Sequence, residues 1–225
     1  MKSVKLLCAS VCCLSISYGV QAAVFSYSSI PGVFSTGVDN SGNPLSVGTV
    51  DPHWVTSASP TGPGVAKATD LNISFWAGNT ATSQWINGTG SSADNPPAGT
   101  YVYTTTFSLF GFDPSTAAIT GQWASDNEST IYLNGVNTGF THSTPLEMSF
   151  FNNFSLTSGF VAGQNTLSFV VTQDFSNATN PEGLQVNILS AVAAVPEPSA
   201  SLLFGISGLA WMAARSLRTR KIARF

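Results

Sequence analysis

The sequence predicts an all-β protein, a β-sandwich body set between a short N-terminal signal peptide and a short C-terminal hydrophobic helix. Three observations lead there. Apolar residues in the body recur at every second position, as one face of a strand requires. Clusters of Gly, Pro, Asn and Ser punctuate those runs at short intervals. No stripe of helical period occurs before Ser199.

The elements follow in order. Lys2 and Lys5 precede an apolar run from Leu6 to Ile16, and the small residues Gly19 to Ala22 place a cleavage point between Ala22 and Ala23, so residues 1–22 read as a signal peptide for signal peptidase. The body runs from Ala23 to Ala194. Its clearest strand is Thr100 to Phe110, where Tyr101, Tyr103, Thr105, Phe107 and Leu109 share a face. Ala117 to Ala124 follows, with Ile119, Gly121 and Trp123 in phase. Ser129 to Leu133 leads into Asn134-Gly135, a pair that tolerates the positive φ of a tight hairpin. Met148 to Leu156, Thr166 to Thr172 and Gly183 to Ala191 complete the stronger strands. Weaker ones are expected at Val24 to Ser29, Leu45 to Val50, His53 to Thr56 and Leu71 to Trp76. Ser57 to Ala68 and Thr89 to Gly99 are rich in Ser, Gly and Pro and read as surface loops.

Composition removes several classes of function. Cys8, Cys12 and Cys13 all fall in the signal peptide, so the body has no thiol for a disulfide, a thiolate metal site or a cysteine nucleophile. From Ala23 to Ala194 a single base, Lys67, stands against ten acids, a formal charge of −9. Such a body repels phosphate backbones, and nucleic-acid binding is excluded.

The C-terminal region, residues 195–225, has its own pattern. Pro196-Glu197-Pro198 breaks from the preceding strand, an uncharged apolar run covers Ser199 to Ala214, and five basic residues follow. As a helix the run extends roughly 24 Å, short of the ~30 Å hydrocarbon core. This order resembles the PEP-CTERM sorting signal of Gram-negative bacteria. The resemblance implies an exosortase as partner, processing at Pro196, Glu197 and Pro198, and membrane contact through the C-terminal helix before cleavage. It also implies an inner-membrane-anchored intermediate, then delivery to the cell envelope, surface or extracellular matrix. An ordinary uncut anchor is the alternative.

Within the body, Ile131-Tyr132-Leu133-Asn134-Gly135 and Gly163-Gln164-Asn165-Thr166-Leu167 have the spacing of two strands with shaped turns. That block resembles the galactose-binding-like jelly roll, an architecture found in carbohydrate-binding modules and in sugar-binding domains of glycoside hydrolases. A saccharide site needs an indole for the apolar face of a sugar and amides for its hydroxyls. Trp54, Trp85 and Asn87 are the binding candidates. The competing reading places each Trp in the core, and Trp123, in phase with Ile119, belongs there. Asp126, Asn127 and Glu128 form the one tight acidic cluster. Their oxygens suit a hard cation, and the jelly-roll resemblance implies a structural calcium, while a solvated turn explains the same residues.

Catalytic patterns are absent from the sequence. His53 and His142 have no nucleophile elbow or metal helix beside them. Two carboxylates such as Asp126 with Glu147 or Asp174 are the sole glycosidase option. The sequence thus points to an exported, non-catalytic protein that binds carbohydrate. The alternatives are a structural matrix component without a discrete ligand and a glycoside-acting enzyme.

Overall fold

The structure, a computed structural model, describes residues 26–71, 73–143, 147–174 and 180–196. Eleven strands are present among them: β1 Ser26–Ser29, β2 Val50–Ala58, β3 Gly64–Ala68, β4 Ile86–Asn87, β5 Gly99–Ser108, β6 Asp113–Asp126, β7 Glu128–Leu133, β8 Val136–His142, β9 Asn152–Leu156, β10 Gln164–Gln173 and β11 Gly183–Val195. All pairings are antiparallel. They run in the order β8-β7-β10-β5-β2-β3-β4-β11-β6-β9, with β1 added to β11. One continuous ladder therefore folds over on itself. Strands β7, β10, β5 and β2 form one wall, β4, β11, β6 and β9 the other, and β3 carries the ladder across.

The walls are held by alternation. In β5, Tyr101, Tyr103, Thr105 and Phe107 are buried, and in β10 so are Leu167, Phe169 and Val171, as the period of two requires. Phe169 of one wall meets Trp123 and Phe154 of the other, with ring centroids 6.4 and 6.1 Å apart. The Asn134-Gly135 turn forms as expected, with φ of 52° and 77°. Asn134 fixes its surroundings as well: its Oδ1 accepts from Thr166 N–H at 2.9 Å and its Nδ2 donates to Gly159 O and Asn165 Oδ1.

Four strand expectations change. Met148 to Leu156, expected as one strand, opens with a 3-10 turn and pairs only from Asn152. Gly64–Ala68, read as loop, is a strand whose Ala66 and Ala68 face the core. Leu45 to Thr49 is irregular, because Gly48 and Thr49 bond Ala68 one at a time and build no ladder. The described part of Leu71 to Trp76 is a turn, closed by Trp76 N–H to Ile73 O.

The signal peptide, the Ala22–Ala23 point, Glu197, Pro198 and the apolar run 199–214 lie outside the described residues; Pro196 is described and exposed. Among the described residues no helix is long and apolar enough to cross a membrane, and Glu147–Ser149 is a single 3-10 turn. This corrects the expectations of a transmembrane helix, a membrane partner and an inner-membrane-anchored intermediate. The described chain consists of strands that bury one another, and the segment that carries the sorting resemblance lies beyond it apart from Pro196.

Candidate functional site

Several strand ends meet at one end of the sandwich. The pairings Thr56 with Gly64, Gln173 with Gly99 and Gly183 with Asp126 bring together the β2–β3 turn, the start of β5, the end of β6 and the approach to β11. Between the β2–β3 turn and the β4–β5 loop lies a cleft of about 530 Å³. These are the two Ser-, Gly- and Pro-rich segments that the sequence marks as loops. Thr56, Ser59, Thr61, Thr89, Asn95 and Asp94 supply polar groups, while Val65, Pro63, Pro96, Pro97 and Tyr101 supply apolar surface.

The rim is shaped by local bonds. Asn87 Oδ1 accepts from Thr89 N–H at 3.1 Å and Gly90 N–H at 2.6 Å, and its Nδ2 donates to Ser91 O at 2.8 Å. Asp70 Oδ1 takes Ser92 N–H at 2.6 Å and pins the same loop to the body. Gly99 has φ of +142°, and a Cβ there would lie 2.8 Å from Pro60 Cγ, so glycine allows the two rim loops to touch.

The floor carries Glu182, which is only 2% exposed. Tyr103 O–H donates to Glu182 Oε2 at 2.5 Å. Burial pushes this carboxyl up to about 8, against which the bonds from Tyr103 and Gly88 N–H pull it down, and Asp126 adds further repulsion. Tyr101 O–H donates to Pro97 O at 2.8 Å, and burial together with the nearby Glu182 pushes it up to about 12.

The residues singled out from the sequence fall in different places. Trp54 and Trp85 are both 0% exposed, which corrects their reading as sugar platforms. Trp54 packs edge-on to Phe169 in the central core, and its indole N–H donates to Phe34 O. Trp85 stacks on Trp76 at 4.1 Å in a second cluster on the outer side of β6, and donates to Ala77 O at 2.8 Å. Asn87 lines the cleft, although its amide is engaged in holding the loop.

Asp126, Asn127 and Glu128 join β6 to β7. Asp126 is 1% exposed and its Oδ2 accepts the indole N–H of Trp76 at 2.8 Å. Burial pushes it up to about 6, with Trp76 opposing and Asp174 adding to the rise. Asn127 Oδ1 accepts Asp174 N–H, and its backbone N–H donates to Thr172 O. Among the described residues no three acidic or histidine side chains group closely enough to hold a metal ion. Asp126 does not line the cleft described above, and its Oδ2 is taken by Trp76.

Glu182 was not singled out from the sequence. Its signal there is slight, a single acid in the turn Asn180-Pro181-Glu182-Gly183 immediately before an apolar strand.

No protein-family model matches the sequence, and no curated protein does. Solved structures do resemble the fold. A family 35 carbohydrate-binding module from Paenibacillus barcinonensis is similar at 12% identity and a TM-score of 0.31, covering 61% of this chain and 98% of that one. A family 35 module from an environmental isolate is similar at 15% identity and a TM-score of 0.29, over 58% and 90% of the two chains. The family 35 module from Cellvibrio japonicus stands at 15% identity and a TM-score of 0.30, over 63% and 96%.

Proposed function

We propose that this domain is a non-catalytic carbohydrate-binding module that holds a saccharide in the cleft between the β2–β3 turn and the β4–β5 loop. The cleft itself carries the reading. A sugar presents hydroxyls around an apolar ring, and a site for it alternates hydrogen-bonding groups with apolar surface. Here hydroxyl, amide and carboxyl groups from Thr61, Thr89, Asn95 and Asp94 stand beside Pro63, Pro97 and the ring of Tyr101. The volume of about 530 Å³ suits a small number of sugar rings. The rim loops are tied to the body by Asn87, Asp70 and the Gly99–Pro60 contact, so the shape exists before a ligand arrives.

The test is retention of the full-length protein on a panel of immobilised glycans, alongside Thr61→Trp, which fills the cleft from its rim. Retention by the natural protein and its loss in the variant, with melting temperatures unchanged, are expected. Retention on no glycan would overturn the proposal, and equal retention by both proteins would place the ligand elsewhere.

A further inference from the structure

The residues that line the cleft include two carboxyl groups, Asp94 and Glu182, and no lysine, arginine or histidine. The body has a single lysine or arginine, Lys67; it shares its side of β3 with Val65 and pairs with Asn87, yet is not itself among the residues that line the cleft. The groups facing Glu182 are also without positive charge: Tyr103 and Tyr101 from β5, Gly88 N–H from the β4–β5 loop, and Asp126 from the end of β6.

A buried carboxyl that lines an open cleft and lacks a cation is an unusual arrangement. Charges with little access to water are held by a partner of opposite sign or lose the charge to a proton. Glu182 has taken the second course in the free protein. A ligand that brings its own cation to the floor offers the first.

We infer that the cleft takes polysaccharide bearing free amino groups, with the ammonium of a deacetylated hexosamine seated against Glu182 and its charge favoured by Asp94 at the rim. The inference rests on the carbohydrate reading of the same cleft and narrows it to a class of sugar. An anionic glycan is disfavoured by the same two carboxyls, and a neutral one gains nothing from them. Pairing with an ammonium also stabilises the ionised form of Glu182. Binding near neutral pH therefore displaces the proton that Glu182 carries in the free protein, partly onto amine still uncharged and the remainder to solvent, a net release.

The experiment is titration calorimetry of the full-length protein at pH 7 with three oligosaccharides of equal length: glucosamine, N-acetylglucosamine and galacturonic acid. Each is run in two buffers of different ionisation enthalpy. The glucosamine oligomer is expected to bind roughly tenfold or more tighter than the acetylated one, the size of a charged hydrogen bond gained in a sheltered site. Its heat should depend on the buffer, in the sense of proton release. Glu182→Gln keeps the shape of the protonated acid, and Asp94→Asn keeps the size of the rim side chain without its charge. Each should narrow the preference for the amine, the first to within about twofold.

Equal affinity for the amine and acetyl oligomers overturns the inference while leaving carbohydrate binding in the cleft standing. So does preference for the galacturonic acid oligomer. Failure of all three to bind also overturns it, and the glycan panel then decides separately whether the cleft binds any saccharide.

Discussion

Glu182 makes a quantitative prediction about folding. In the unfolded chain a glutamic acid titrates near 4.5, and in the folded protein burial holds this one at about 8. Between those values the native state binds a proton that the unfolded state has lost, so stability falls as pH rises. Each pH unit in that window is worth ~1.4 kcal/mol until the native group begins to ionise. Integrated from pH 6.5 to pH 8, where the native acid is half titrated, the loss is about 1.6 kcal/mol. Two other groups titrate nearby. Asp126, raised by burial to about 6, and His142, lowered by burial to about 4, have largely completed their changes below pH 6.5. Above it Asp126 still loses about 0.2 kcal/mol and His142 regains about 0.4, so the net decline is about 1.4 kcal/mol. Urea unfolding at half-unit intervals across this window reads the slope directly. In Glu182→Gln the decline should vanish, because the amide keeps an acceptor for Tyr103 and has no proton to lose. A flat or rising profile in the natural protein, or an unchanged decline in the variant, would refute a protonated acid on the cleft floor.

Three further outcomes are expected. Trp54→Ala empties the space beside Phe169 in the central core and should lower stability by about 3–5 kcal/mol in denaturant titration. Asn134→Ala removes the bonds to Thr166, Gly159 and Asn165 and leaves alanine at a φ of 52°, for a loss of about 2 kcal/mol by the same measurement. Gly99→Ala drives a Cβ into Pro60 and separates the rim loops; it should weaken retention on the glycan panel by more than it lowers the melting temperature, which calorimetric scans can compare.

Legibility in the sequence follows the range of the interactions. The aromatic face of β5, the alternation in β10 and the Asn134-Gly135 turn are local patterns, and each is found where the residues place it. Strand β3 escapes because its inward residues are alanines, too small to mark a face, and it lies in a stretch whose composition reads as loop. Trp85 misleads for a different reason. Flanked by Gln84 and Asn87, it has the neighbours expected of a sugar platform, yet Trp76 covers it from nine residues upstream in the chain. Both loops that bound the cleft are visible as loops, but not that they face one another, since β2, β3, β4 and β5 must pair first. Glu182 is the least visible residue of all. Its bond to Tyr103 spans 79 residues, and no spacing rule connects them.

The acids of this chain separate by the partners they keep. Asp39 accepts Ser41 and Asn43 N–H, Asp51 accepts Gly37, His53 and Trp54 N–H, and Asp113 accepts Ser115 N–H. Each of these stays within its own turn or ties a neighbouring loop through backbone N–H donors, and the residue is structural. Glu182 differs in location and in partners: it lies against a cleft, with a phenol and a backbone N–H as its donors and the acid Asp126 adding repulsion. A residue needed only to close that corner would hold Tyr103 equally well as glutamine, without the rise in pKa. A cation entering the cleft would meet that carboxyl, which is why the preference for an amine, and not the strength of binding alone, is the property by which Glu182 should be judged.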